Sequence, residues 1–186
     1  MRKLILIALI FIGAISVNAQ VFNSDANLRK GGFGLGVEPA IFIHSGANEF
    51  LFFIHGEYGI KSGIALDLHA GLGNPTYFGA DLRWSLLKYI SLNTGAHFYG
   101  SVFGIDGRLN IAIPIKSDIR LLTGADINLD FLRNSNTFLK LNQVPFWIPI
   151  GVDLGLRKNI AFILEAEIGL TNSAYHVIGG GLVFYF

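Results

Sequence analysis

The sequence predicts an all-β fold, a transmembrane antiparallel up-and-down barrel of ten strands around a polar lumen. Three observations predict it. The 186 residues are 52% hydrophobic and only 15% charged, yet beyond residue 20 no stretch is long and charge-free enough for a spanning helix, which needs ~20 apolar residues. Turn signals recur with a period of about 28 residues. Between the turns, bulky and slim residues alternate with period two, the pattern of strands whose two faces meet different surroundings.

The first element is not part of the barrel. Arg2 and Lys3 form a basic start, residues 4–17 an apolar run, and Val17, Asn18 and Ala19 a small-residue cleavage site before Gln20. This is the layout of a cleaved export signal. An uncleaved N-terminal anchor is the alternative, and the run is short for one. The expected division is a signal at 1–19, a short periplasmic segment at 20–29 and the barrel at 30–186. The signal carries two of the 14 basic residues, leaving 12 against 13 acidic ones, a balance that points to no nucleic-acid partner. With no cysteine in the chain, a disulfide framework, thiol catalysis and a lipid-bearing cysteine are excluded. No cofactor or metal is expected.

Lysines mark the period. Lys30, Lys61, Lys88, Lys116 and Lys158 stand 31, 27, 28 and 42 residues apart, and Phe186 follows Lys158 by 28. The long interval contains a polar 13-residue loop, residues 131–143, without which it would be 29. Halfway through each unit lies a second kind of break: HSGANE, GLGNPT, YGSVFG, the long loop and LTNSAY. Gly, Asn, Pro and Ser form turns for separate steric reasons. Each of the five units is therefore a hairpin.

The strands follow in order. Phe33, Leu35, Val37, Ile41 and Ile43 share one face of the first, with Gly34, Gly36, Glu38, Ala40 and His44 on the other. Phe50, Phe52, Ile54, Tyr58 and Ile60 oppose His55 and Glu57 on the second. Ile64, Leu66, Leu68 and Leu72 oppose Asp67 and His69 on the third. Phe78, Leu82, Trp84 and Leu86 oppose Asp81 and Arg83 on the fourth. His97 and Tyr99 face inward on the fifth. Ile105, Leu109, Ile111 and Ile113 oppose Asp106, Arg108 and Asn110 on the sixth. Ile119, Leu121 and Ile127 oppose Arg120, Asp126 and Asn128 on the seventh. Phe146, Ile148, Ile150, Val152 and Leu154 oppose Asp153 on the eighth. Ile160, Phe162, Leu164, Ile168 and Leu170 oppose Glu165 and Glu167 on the ninth. Ile178, Leu182, Phe184 and Phe186 share a face of the tenth. Inward parity changes from odd to even between Tyr99 and Asp106. Eight strands would result if residues 102–104 or the first hairpin paired differently.

The bulky face would overfill a small soluble barrel, whose interior must alternate large and small residues. No lysine is expected inside a strand, though water-facing strands usually carry them. The opposite assignment fits: bulky residues face lipid and slim or polar ones a narrow lumen. In lipid every backbone polar group needs a partner, so the sheet must close. Strands of ~9–11 residues span a bilayer when tilted, which is half of one unit.

In this pattern, with Ile178, Leu182, Phe184 and the terminal Phe186 alternating and Tyr185 between them, the chain resembles small bacterial outer-membrane β-barrel proteins of the OmpA-like and porin-like kind, without a soluble C-terminal domain. The resemblance covers the mature chain. It implies outer-membrane localisation after export and signal cleavage, short periplasmic turns, longer outer loops, and a closing strand read by the barrel-assembly machinery. It also implies contact with outer-membrane lipids and lipopolysaccharide.

The lumen is expected to carry a belt of Glu38, Glu57, Asp67, Asp81, Asp106, Asp126, Asp153, Glu165 and Glu167, with Arg83, Arg108 and Arg120 and the imidazoles of His55, His69 and His97. Folding each hairpin at its turn sets Glu38 against Glu57, Glu57 against Asp67, Asp67 against Asp81, Asp106 against Asp126 and Asp153 against Glu165. Facing like charges destabilise a sheet unless a proton or cation intervenes. Three readings stay open: a hydrated ion-pair network that holds the barrel's shape, a narrow cation-preferring passage, and a metal or proton-linked site at Asp67, His69, Asp81 and His97. An enzyme is not expected. Ser173 and His176 are the nearest approach to a nucleophile and base, but the alternation puts His176 on the lipid side. A surface-binding role would rest on the long loop, where Arg133 and Lys140 could meet lipopolysaccharide phosphates.

Overall fold

The structure is a computed structural model that describes residues 30–43, 48–134 and 137–186, the side chains of 133–139 excepted. The expected export signal, the expected periplasmic segment at 20–29, His44 and the Arg133 side chain lie outside the described residues. The strands are β1 (Phe33–Ile43), β2 (Asn48–Lys61), β3 (Ile64–Leu72), β4 (Tyr77–Leu87), β5 (Ile90–Tyr99), β6 (Val102–Pro114), β7 (Ile119–Asn134), β8 (Thr137–Gln143), β9 (Phe146–Arg157), β10 (Ile160–Gly169) and β11 (His176–Tyr185). Each pairs antiparallel with its sequence neighbour, save that β9 lies against β7, and β11 returns to β1. The sheet is a closed barrel.

Eleven segments make ten staves. β7 is long enough to pair with two successors: Ile119–Ile127 face β9, while Asp130–Asn134 face β8. Between those two, Pro145 lacks an amide hydrogen and interrupts the ladder, although its carbonyl still accepts from the Asn128 amide at 3.0 Å. Within the stretch expected as a loop at 131–143, the end of β7 and β8 therefore form a two-stranded extension of the wall. Its backbone groups need partners wherever they run, and pairing with each other supplies them. Lys140 accordingly lies in a strand, and Lys61 is the last residue of β2.

The change of parity after Tyr99 has a simple cause. A two-residue turn at Gly100 and Ser101 sets His97 across from Gly104 and Gly95 across from Asp106, so inward positions pass from odd to even. Gly100 (φ +56°) and Gly63 (φ +77°) hold the left-handed backbone of their turns, which side chains resist.

The alternation holds around the wall. Phe50, Phe78 and Phe98 are 57%, 56% and 56% exposed on the outer surface, an arrangement that lipid favours and water does not. Small apolar clusters sit inside near each end. Ala112, Leu122, Ile163 and Val183, with Tyr185 against them, lie toward the lysine-bearing turns. Ala40, Leu51, Phe53 and Tyr77, with Phe42 and Tyr99, lie toward the other end. The polar belt lies between these clusters.

Candidate functional site

The belt residues face the lumen as the alternation requires. Glu38 stands on β1, Glu57 and His55 on β2, Asp67 and His69 on β3, Asp81 and Arg83 on β4, and His97 on β5. Asp106 and Arg108 stand on β6, Arg120 and Asp126 on β7, Asp153 on β9, and Glu165 and Glu167 on β10. All are buried or half-buried.

Their cross-strand neighbours are partly as expected. Glu57 does face Asp67, and Asp67 faces Asp81. Glu38 instead faces Phe53, with Glu57 opposite Gly34. Asp106 faces Asn128, and Arg108 takes the place opposite Asp126. Asp153 faces Ile163, and Glu165 faces Gly151. Each slip is an even number of residues, so every side chain keeps its face while changing its neighbour. The slips remove three like-charge pairs that the expected registers contained.

Arginines hold the rest. Arg83 Nη2 donates to Glu57 Oε2 at 3.0 Å and stands 3.5 Å from Asp67 Oδ1. Asn93 Nδ2 donates to the other Asp67 oxygen at 3.4 Å. Arg108 Nε donates to Asp126 Oδ2 at 2.8 Å, its Nη2 binds the same oxygen, and that Nη2 also donates to Glu167 Oε1 at 3.4 Å. Glu165 adds to the field on Arg108. Because β6 and β10 are not neighbours in the sheet, the Arg108–Glu167 contact is a chord across the lumen. Arg120 binds Asp153 nearer the lysine-bearing turns.

The histidines form two further groups. In one, Glu38 Oε2 meets His55 Nε2 at 2.8 Å, His55 Nδ1 meets His69 Nδ1 at 2.9 Å, and His69 Nε2 meets Asp81 Oδ2 at 2.9 Å. In the other, His97 lies between two carboxylates, with Nδ1 2.9 Å from Asp106 and Nε2 3.3 Å from Asp130. The rings of Tyr77 and Tyr99 both stack with its imidazole, centroids 5.4 and 5.7 Å away. Asp130 also accepts from the Tyr99 hydroxyl at 2.8 Å and from Gln143 Nε2 at 3.1 Å. Of the expected proton-linked set, His69 and Asp81 are joined directly, Asp67 is held by Arg83, and His97 belongs to a different clamp. A cavity of about 10 Å³ lies among His69, Asp81, Asp106, Arg108, Asp126 and Asn128, room for about one water. Among the described residues no cluster has a metal-binding arrangement.

Sequence reasoning missed Asp130, Tyr77, Asn93 and Gln143. Asp130 was within reach, since it continues the even parity of Asp126 and Asn128, but it abuts a segment read as loop. Ser173 and His176 are turned to other partners: Ser173 Oγ lies 3.2 Å from Thr171 Oγ1, and His176 Nδ1 accepts from the Gly169 amide at 3.2 Å. Lys140 is exposed on β8.

Apolar outside, charged inside and closed at β1–β11, the chain has the fold of a transmembrane β-barrel of the outer-membrane type. No protein-family model and no curated protein matches it. Among solved structures it is similar to the translocator domain of the autotransporter NalP from Neisseria meningitidis, at 8% identity over 87% of this chain and 90% of that one, with a TM-score of 0.50. The N-terminal β-barrel domain of Pseudomonas aeruginosa OprF matches at 12% identity over 84% and 98%, TM-score 0.42. A de novo designed transmembrane β-barrel matches at 11% over 86% and 99%, TM-score 0.45. At such identities the likeness concerns the fold alone.

Proposed function

We propose that the protein is an integral outer-membrane barrel with a structural role, its lumen closed by its own ion pairs, and that it is neither an enzyme nor an open pore. The observation that carries this reading is the chord from Arg108 to Glu167. It ties walls that an aqueous channel would keep apart, with both side chains largely removed from water. Apolar clusters toward either end of the belt support it. The histidine nitrogens are directed at carboxylates or at each other, which leaves them occupied with structure.

In this reading residues 1–19 direct export and are removed, the assembly machinery inserts the chain, and lipids and lipopolysaccharide surround it. The test is conductance of the refolded protein in planar bilayers. Electrical silence of a correctly folded barrel is expected. Steady steps would overturn the reading.

The second reading, a narrow cation-preferring passage, is favoured by charge. The belt with Asp130 sets ten carboxylates against three arginines and three histidines, so the lumen is acidic even with every base protonated. In that case the steps would be cation-selective by reversal potential and weakened by Asp67→Asn with Asp81→Asn.

A further inference from the structure

At the end of the barrel away from the lysine-bearing turns lies a cavity of about 240 Å³. Its walls are aromatic: Tyr77, Tyr99, Trp147 and Tyr175 line it. Its floor is polar, formed by Asn128 and Asp130, and Glu49 stands at its exposed rim. Two observations point to what it takes. Asn128 Oδ1 is buried and has no hydrogen-bond partner among the described residues, and Asp130 Oδ1, also buried, has only the contact to His97 Nε2 at 3.3 Å. His97 also lines the cavity, and its other ring nitrogen is taken by Asp106 at 2.9 Å.

Both atoms are acceptors, each with room for a further donor from the cavity. A buried acceptor without a donor costs free energy that a bound donor recovers. The two floor atoms therefore call for a ligand that brings N–H or O–H groups. The charge around them selects among such ligands. The lining holds two acids, Asp130 and Glu49, against one imidazole, His97, which Asp106 shares, and aromatic faces attract cations through their quadrupoles. A protonated primary amine meets every condition: it donates up to three hydrogen bonds, it is positive, and its hydrocarbon body suits aromatic walls. A quaternary ammonium would bring no donor. The volume suits a molecule of roughly ten heavy atoms, small beside drug-sized pockets.

We infer that this cavity is a binding site for a small free arylalkylamine, its ammonium on Asn128 and Asp130 and its ring among Tyr77, Tyr99, Trp147 and Tyr175. An amine carried on a phospholipid or lipopolysaccharide headgroup shares the ammonium but brings a phosphate toward Glu49 and Asp130, which repel it. The inference does not depend on whether the lumen below conducts.

Trp147 reports on the site. The chain has two tryptophans, and Trp84 lies on the outward parity of β4, so full-length protein carrying Trp84→Phe, refolded in vesicles, isolates the Trp147 emission. Phenethylamine is expected to change that emission saturably. Phenethyl alcohol, with the charge removed, should bind at least about tenfold more weakly. Asn128→Leu should weaken phenethylamine by about tenfold. Should that variant fail to fold, Glu49→Gln, on an exposed rim side chain, should still weaken binding about twofold to threefold and flatten its salt dependence. Amine and alcohol binding alike would reduce the cavity to an apolar hollow and overturn the inference. So would the lack of any saturable change, which would leave the two acceptors to water. Competition by phosphoethanolamine as strong as that by phenethylamine would replace the free amine with a lipid headgroup.

Discussion

His55 and His69 meet nitrogen to nitrogen, Nδ1 to Nδ1 at 2.9 Å, with their rings nearly perpendicular at 79°. One of these nitrogens must carry the hydrogen and the other must accept it. The two remaining nitrogens face carboxylates at 2.8 and 2.9 Å, on Glu38 and Asp81. With both carboxylates ionised, each of those nitrogens donates. Three protons then reside on two imidazoles, so the pair carries one positive charge between its two acids. A fourth proton would set two N–H groups against each other, and loss of one would leave a contact without a hydrogen.

The pair thus has a spectroscopic signature. Imidazole 15N spectra of the refolded protein should show one charged ring and one neutral ring in exchange, with a coupling across the shared hydrogen bond. His69→Phe should abolish that coupling and leave Asp81 without its imidazole. Removing one partner of a buried charged pair costs about 3–5 kcal/mol, read as a lowered denaturation midpoint. A variant as stable as the parent would show that the imidazole bridge carries no net stabilisation.

Arg83 predicts an asymmetry. It serves both Glu57 and Asp67, so Arg83→Met removes the counter-charge of two buried acids and should cost about 3–5 kcal/mol. Adding Glu57→Gln and Asp67→Asn to Arg83→Met should recover part of that loss, because the charges that needed compensation are gone. Asp67→Asn alone should cost no more than about 1 kcal/mol, since Arg83 keeps Glu57 and the new amide oxygen can accept from Asn93. Denaturation midpoints of the three variants test the order. A triple variant weaker than Arg83→Met would mean that the acids are bound by something other than the guanidinium.

The wall was more legible in the sequence than the belt, for a physical reason. Facing depends only on parity, and the Leu, Ile and Phe series declares parity on every strand. Neighbours depend on register, which is set by the residue count of each turn. The turn beside Gly63 is tight, so the placement of Glu57 against Asp67 was readable. The register of the first hairpin is centred two residues earlier than expected, and Glu38 therefore meets Phe53 rather than Glu57. The long-range contacts had no local signal at all. Nothing in the spacing of Arg108 and Glu167 says that a chord joins them, and nothing around His97 says that Tyr77 and Tyr99 will stack with it.

Gly104 predicts a steric fault at that imidazole. A Cβ there would lie 2.1 Å from His97 Nε2 and 2.9 Å from Asp130 Oδ1. The missing side chain is the slot that admits the imidazole. Gly104→Ala should push His97 away from Asp130 at a cost of about 1–3 kcal/mol. His97→Ala combined with Gly104→Ala removes the clash, so the glycine substitution should cost much less in that background. Additive losses in the double variant would contradict a direct contact.

Phe186 separates two roles at the seam. Its amide donates to the Phe33 carbonyl at 2.8 Å and its carbonyl accepts from the Phe33 amide at 3.3 Å, which closes the last rung between β11 and β1. Its ring is 76% exposed and only grazes Phe33, with centroids 6.1 Å apart. The backbone therefore contributes to closure, and the ring has little to gain within the protein itself. Deleting Phe186 should cost about 1–3 kcal/mol through the lost rung, seen as weaker heat-modifiable folding in vesicles. Phe186→Ala keeps the rung and should refold in vesicles like the parent. In cells the two should converge, both with reduced insertion, if the assembly machinery reads the aromatic side chain. Normal insertion of Phe186→Ala in cells would leave the terminal ring to the surrounding lipid and confine the residue's role to the rung it closes.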